Sequence, residues 1–271
     1  VSKGGNLLLN VGPTARGTFD ARAMDRLSGM GDWMEALGVN LLCYHAFHYS
    51  LRGYRKRDYP PTFNYQQPWF RYSGQLGAHF GRLSWALAQG KREVSVLMIH
   101  PIESFFATQS DWNFQGSEEL SEAFKSVSEL MVHSGFDWDY GNESYLARWG
   151  SVDEATVRLG NGAYRVVVVP PLLRLREATR RLLDQFRSAG GTLLRIELEA
   201  PSLWPAESAT TEFLQGAAHS VGSWKSCSDD LLQQIGARVS WQLIDAETER
   251  KPRLNGDLVF QKRRLSNADL F

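Results

Sequence analysis

The sequence predicts an α/β protein whose strands run parallel and are covered on both faces. Three observations carry this. Short apolar runs such as 94–99 (VSVLMI) and 164–169 (YRVVVV) are uninterrupted rather than alternating, the pattern of strands buried on two sides. Between the runs stand stretches with apolar residues at three- and four-residue spacing, which is helical periodicity. Polar and ring-bearing residues gather just after the runs, where loops leave a buried strand.

In chain order, residues 6–11 (NLLLNV) form a strand ended by the Gly12-Pro13-Thr14 turn. Asp20 caps a helix striped by Met24, Leu27, Met30, Met34 and Leu37 and closed by Gly38. Residues 39–44 (VNLLCY) are the next strand, too brief for a helix. The chain then breaks into His45, His48, Tyr49, Arg52, Arg55, Lys56 and Arg57 before Pro60-Pro61 stiffens it. Pro68 opens a helix carrying Trp69, Tyr72, Leu76, Phe80, Leu83 and Leu87, ended by Gly90, with His79 beside the stripe in a structural role.

Lys91-Arg92-Glu93 is a charged joint, and 94–99 begins a second layered unit. Ser117 caps a helix with Glu118 and Glu119 in its first turn and Leu120, Phe124, Val127 and Met131 on one face. Residues 136–140 are a short strand, and 164–169 a longer one stopped by Pro170-Pro171. Ala178, Leu182, Phe186 and Ala189 stripe a basic helix closed by Gly190-Gly191, and 192–196 is the next strand. Residues 201–227, rich in Ser, Ala, Gly and Thr, wrap the surface. Ser228 with Asp229 and Asp230 starts a short helix ending at Gly236, followed by an edge strand at 239–244 and a last strand at 258–261. The β-α-β-β-α-β rhythm over about 92–245 predicts a doubly wound, flavodoxin-like parallel sheet. The loop after its first strand, His100-Pro101-Ile102-Glu103-Ser104, lacks a Gly-rich phosphate fingerprint, so no flavin or nucleotide cofactor is expected.

The bulk numbers bound the function. With 30 basic and 30 acidic side chains, the chain offers no electrostatic reason for a nucleic acid or an anionic membrane as partner. No apolar run reaches the roughly 18 residues of a membrane span. Cys43 and Cys227 are far apart and show no disulfide framework or metal-ligand spacing, and no metal is expected. The opening Val1-Ser2-Lys3-Gly4-Gly5 has neither an initiator Met nor a signal peptide, so the chain reads as an excised piece and gives no localisation. Nine Trp and nine Tyr supply rings of the kind that cover sugar C–H faces or fill cores.

The stretch from His45 to Arg52 is the candidate pocket wall. One histidine after an apolar run is explained by packing alone. Two histidines, a tyrosine and an arginine within eight residues are the convergent polar groups a site needs. Trp69 and Tyr72 either line a sugar cleft or pack in the core.

Residues 1 to about 34, above all the run from Val1 to Thr14 with Met30-Gly31-Asp32-Trp33-Met34, resemble the last strand and helix of the α-L-fucosidase (glycoside hydrolase family 29) barrel. From about Gly31 onward, Gly31-Asp32-Trp33, Leu37-Gly38-Val39-Asn40, His45, Tyr49-Ser50-Leu51-Arg52-Gly53, the run Arg55 to Pro61 and His100-Pro101-Ile102-Glu103-Ser104 resemble α-L-rhamnosidase (family 106 type) enzymes. Those resemblances imply the C-terminal part of a TIM-type barrel in 1–91, a flavodoxin-like domain in 92–250, and the start of a truncated β-domain or a tail in 251–271. They also imply a Ser-Glu pair before the Gly-Asp-Trp helix, where this chain has Leu9-Asn10.

Glycoside hydrolysis normally needs two carboxyl groups, about 5 Å apart for retention or about 6.5–9.5 Å for inversion. Asp20, Asp32, Glu35 and Asp58 each have a structural explanation as cap, helix residue or ion-pair partner. Glu103 is the one acid placed just after a buried strand, where it either faces a cleft or caps a loop, and it is the candidate catalytic residue. His45, His48, Tyr49, Arg52 and Trp69 are the candidate substrate-binding residues, holding sugar hydroxyls and orienting the ring. No Gly-x-Ser-x-Gly elbow supports a serine hydrolase. The expected partner is a carbohydrate substrate, with the function of a deoxyhexosidase fragment of low activity on its own. The alternative is a non-catalytic α/β module that docks domains or forms homo-oligomers.

Overall fold

The computed structural model describes residues 39, 52–53, 65–68, 70–108, 115–133, 136–198, 208–217, 219–237 and 262–270. The expected strand at 6–11, the helix from Asp20, the strand at 39–44 beyond Val39, the basic loop 54–61 and the strands at 239–244 and 258–261 lie outside the described residues. The chain divides into two compact units, Val1–Arg92 with Phe260–Phe271, and Glu93–Val259.

In the first unit a 3-10 turn, Phe70–Tyr72, leads into helix α1, Ser73–Ala88. The expected stripe is present but only partly covered: Leu76, Phe80, Leu83 and Leu87 are half-buried and Tyr72 is 52% exposed. His79 meets Phe80 edge-on at 5.3 Å between ring centroids. Gly90 ends the segment in the left-handed region at φ 60°, a conformation that costs glycine little. The charged joint is in fact a strand: Lys91–Arg92 (β1) pairs antiparallel with Arg263–Arg264, which pairs with Asp269–Leu270. Arg263 donates to the carbonyls of Gln89 and Gly90, and burial with the neighbouring Arg92 charge lowers its pKa.

The second unit is built on five parallel strands. Val96–Ile99 (β2) is followed by helices Ile102–Thr108 (α2) and Gln115–His133 (α3), then Trp138–Gly141 (β3) and helix Glu143–Trp149 (α4). A three-stranded antiparallel meander comes next: Ser151–Asp153 (β4), Thr156–Leu159 (β5) and Gly162–Tyr164 (β6). Val166–Val169 (β7), helix Glu177–Ser188 (α5), Thr192–Glu197 (β8), helix Ser208–Ala217 (α6), His219–Ser223 (β9) and helix Ser228–Gly236 (α7) complete it. The sheet order is β3-β2-β7-β8-β9, and every neighbouring pair is parallel. In chain order of the five strands this is 2-1-3-4-5.

The continuous apolar runs now have their reason. Along β2 and β7 alternate residues enter opposite cores, and all eight are fully buried. Leu97, Ile99, Val167 and Val169 pack with Leu146 of α4 and with Leu182, Leu183 and Phe186 of α5. Val96, Met98, Val166 and Val168 pack with Val127 and Met131 of α3 and with Leu231 and Ile235 of α7. Helices therefore cover both faces, which is what a parallel sheet requires.

Four expectations are corrected. Ser117 lies inside α3, which begins at Gln115, so it is not the cap. The run 164–169 is two strands, because Tyr164 ends the meander and donates its hydroxyl to Asp139 Oδ2 at 2.9 Å, while β7 starts at Val166. On α5 the buried stripe is Thr179, Leu182, Leu183 and Phe186, and Ala178 and Ala189 are exposed. Within 201–227 the described residues contain α6 and β9, whose Val221 is 2% exposed, so this stretch supplies an edge strand rather than only a surface wrap.

Gly191 lies against the edge of the Phe186 ring, where a methyl group would overlap the ring carbons. Gly191→Ala is expected to lower stability by about 1–3 kcal/mol through overpacking. In urea denaturation the penalty should shrink when Phe186→Leu is combined with it; strict additivity of the two changes would refute the contact.

Candidate functional site

The carboxyl edge of the parallel sheet is where an open α/β fold places its ligand crevice, at the point between β2 and β7 where the strand order reverses. Three segments meet there: 100–104 after β2, 142–143 after β3, and 170–176 after β7. The last is drawn inward. Leu172, Leu173 and Leu175 are buried, while Arg174 and Arg176 point to solvent.

Burying this segment obliges its amides to find acceptors. Leu173 N and Arg174 N both donate to Ser104 Oγ, at 2.9 and 3.0 Å. Leu175 N donates to Thr210 Oγ1 at 3.1 Å, and Arg176 N donates to Glu143 Oε2 at 2.8 Å. Ser104, Glu143 and Thr210 are themselves 0–1% exposed. Arg180 Nη1 donates to Leu175 O at 2.8 Å from the first turns of α5. Four successive N–H groups of the kind that could cradle an anion are thus used by the protein's own side chains.

Glu103, the candidate catalytic acid, lies in the first turn of α2. Its Oε1 accepts from Arg176 Nε at 2.6 Å and also pairs with Nη2 of the same guanidinium. Its side chain is 23% exposed, against 46% for Arg176. One arginine therefore joins two acids: its side chain holds Glu103 and its amide holds Glu143.

Glu143 is the group whose chemistry is most altered. Desolvation by burial raises its carboxyl pKa, and the negative Glu103 nearby adds to this. The Thr179 hydroxyl, the Arg176 amide and the Arg176 charge act in the opposite sense without cancelling it. Its Oε1 and Thr179 Oγ1 are both buried without a hydrogen-bond partner, so Thr179 acts on this carboxyl without closing a bond to it. His100 meets Phe124 and Tyr140 edge-on at 5.4 and 6.0 Å, and burial lowers its pKa. Tyr140 donates to Ser128 Oγ at 2.9 Å, and burial raises its pKa.

His45, His48, Tyr49 and Trp69 lie outside the described residues. Arg52 is exposed and belongs to the first unit, and Glu103 belongs to the second. The structure joins Glu103 to Glu143, Arg176, Ser104 and Thr210, none of which is a candidate from the sequence. Asn142-Glu143 after an apolar strand is a readable helix start, and Asn142 Oδ1 does accept from Ser144 N and Tyr145 N at 2.9 and 3.3 Å. Nothing local marks Glu143 as buried.

A second concavity of about 530 Å³ lies between α5 and α6, lined by arginines and acids with Phe213. Two of its cations are met from their own helix, Arg181 by Glu177 and Arg187 by Asp184 at 3.4 Å, and Arg180 donates to Leu175 O.

The chain resembles glycoside hydrolases. The α-L-fucosidase family model matches residues 1–39. The structure is similar to a rhamnosidase from Novosphingobium sp. PP1Y, with a TM-score of 0.50 and 15% identity over 90% of this chain and 23% of that one. A catalytic mutant of Gan42B, a GH42 β-galactosidase from G. stearothermophilus, is similar over 62% of this chain and 24% of that one, with a TM-score of 0.44 and 14% identity. The chain thus spans about a quarter of the length of either enzyme. No curated protein sequence matches it.

Because folding raises the Glu143 pKa above its ordinary 4.5, the folded state favours the protonated acid. That contribution is complete below the unfolded value and is lost as pH rises through the folded one. Relative to Glu143→Gln, the wild-type chain should lose stability as pH rises above the ordinary carboxyl value of 4.5 and through the raised folded one. At low pH, where the Glu143 contribution is complete, Glu143→Ala should cost about 1–3 kcal/mol by orphaning the Arg176 amide. Denaturation at a series of pH values checks both, and a pH-independent difference between wild type and Glu143→Gln would refute the assignment.

Proposed function

We propose that the chain is part of a glycoside hydrolase acting on deoxyhexosides of the α-L-fucoside or α-L-rhamnoside type. Residues 1–91 would close a TIM-type barrel, and 92–250 would form its flavodoxin-like companion. The observation that carries the reading is the agreement of two comparisons: the fucosidase model on the first 39 residues and the likeness to a rhamnosidase over 90% of the chain. Fucose and rhamnose are both 6-deoxyhexoses. The 2-1-3-4-5 order of parallel strands supports the flavodoxin-like assignment.

In this reading His45, His48, Tyr49, Arg52 and Trp69 contact the sugar, and Glu103 is the acid nearest to that role. A fully buried Glu143 is badly placed to exchange a proton with a glycosidic oxygen, so among the described residues the pair that hydrolysis needs is incomplete, in keeping with slow turnover by this chain alone. The same geometry favours a second reading, a non-catalytic module. Its carboxyl edge is closed by its own loop, and Glu103 is engaged by Arg176.

Nitrophenyl α-L-fucoside and α-L-rhamnoside distinguish the two. Measurable release of nitrophenol, lost on Glu103→Gln and on His45→Ala, is the result expected of the hydrolase. Release that survives both changes would reject the site residues, and its absence alongside retained sugar binding would favour the module.

A further inference from the structure

We infer that α4 presents a carbohydrate-binding surface, in which the rings of Tyr145 and Trp149 and the guanidinium of Arg148 receive neutral glycan containing deoxyhexose. The inference rests on the hydrolase reading for its choice of sugar, and on the geometry of one helix for the rest.

Tyr145 and Trp149 are 56% and 55% exposed, yet they are not scattered singly. Their ring centroids are 5.2 Å apart with planes inclined by 53°, which makes one bent apolar platform. The Arg148 guanidinium lies over the Trp149 ring, 4.8 Å from its centroid, which sets hydrogen-bond donors against one face of that ring. The helix that carries them is firmly set. Asn142 caps its start, Gly150 N closes its end on Leu146 O at 2.9 Å, and its two buried residues, Glu143 and Leu146, face inward. Tyr145 and Trp149 have no place in either hydrophobic core. Rings held this way lose little conformational freedom when something stacks on them.

The area decides what that something is. Two half-exposed aromatic rings offer about 100 Å² each. A stable protein interface needs about 800 Å² per partner, and the other outward residues of the helix, Ser144, Ala147 and Arg148, are small or polar. A platform of this size matches one or two pyranose rings. A sugar presents C–H groups on one face and hydroxyls at its rim, suited to exposed rings that carry a guanidinium against one of them. The C6 methyl group of a deoxyhexose enlarges the apolar part of that surface. The one acid of the helix, Glu143, is buried and takes no part.

The test uses the whole chain. Affinity electrophoresis and tryptophan fluorescence are measured with a soluble rhamnose-containing polysaccharide and a fucose-containing one. Tyr145→Ala, Trp149→Ala and Trp149→Phe are compared with a control at another exposed ring, Trp85→Ala, all checked for folding by circular dichroism. The wild-type chain should be retarded by at least one of the two polysaccharides. Trp149→Ala should weaken that binding about tenfold, a loss in keeping with one stacked ring. Trp149→Phe should recover part of it, and Trp85→Ala should leave it unchanged. Nitrophenyl glycoside turnover should be the same in the platform variants and the wild type. A folded Trp149→Ala that binds like wild type would overturn the inference, as would a wild-type chain that binds neither polysaccharide. Self-association of the wild type that disappears in Trp149→Ala would overturn it too, by assigning the rings to a protein interface. If turnover is absent while binding depends on Trp149, the platform stands and the hydrolase reading fails. If turnover is present while binding is indifferent to Trp149, the hydrolase reading stands and the platform fails.

Discussion

Four consecutive amides, from Leu173 to Arg176, follow the end of a central strand and turn toward the protein, with the bonds of Leu173 and Leu175 buried and those of Arg174 and Arg176 partly so. An unpaired buried N–H costs about 1–3 kcal/mol, so the segment could not hold its place without acceptors. Those acceptors come from Ser104, Thr210 and Glu143, between 33 and 70 residues away along the chain. One loop thereby ties α2, α4 and α6 to the edge of the sheet. The two arginines flanking Leu175 stay in solvent, and Arg176 uses its side chain to hold Glu103.

This stitching sets what the edge can do. In a doubly wound sheet the crevice at the reversal of strand order is the natural seat for a ligand. Here side-chain oxygens occupy the donors that would greet an anion. Glu143 is removed from solvent to serve that structural purpose and loses the proton-handling role that an accessible carboxyl could fill. The same burial anchors α4 from below, through Glu143 and Leu146, and turns Tyr145, Arg148 and Trp149 outward. Structural demand on one face of a short helix therefore sets what the other face displays.

Much of the second unit is legible because its signals are local. A run of four valines buried on both sides reads as a parallel strand without any knowledge of its neighbours. Ser228-Asp229-Asp230 through Gly236 reads as a helix and is one. The meander escapes the sequence reading although part of its signal is present: Gly160-Asn161 is a two-residue hairpin loop between the paired Leu159 and Gly162, and Gly160 adopts φ 57°. Tyr164 merges with the valine run because hydrophobicity alone does not mark where a strand changes sheet. The hydrogen bond from Tyr164 to Asp139 and the pairing of Val157 with Tyr164 make that division. The helix at 208–217 escapes too, because its short polar residues resemble a loop. Thr210 is held in the interior by meeting Leu175, a contact its own neighbours do not foretell. Of the candidate site, Glu103 is legible by its position after β2, whereas its partner Arg176 lies 73 residues further on.

By itself the sequence determined that parallel strands would alternate with amphipathic helices, where most of them lie, and that Glu103 follows the first strand of the second unit. These follow from periodicity and burial preference, which neighbouring residues express together. Only the tertiary structure decided the order of the strands, the insertion of the meander, the withdrawal of Glu143 from water and its linkage through Arg176 to Glu103. Such contacts join residues dozens of positions apart, and the free energy of satisfying a buried polar group leaves no periodic trace in the chain.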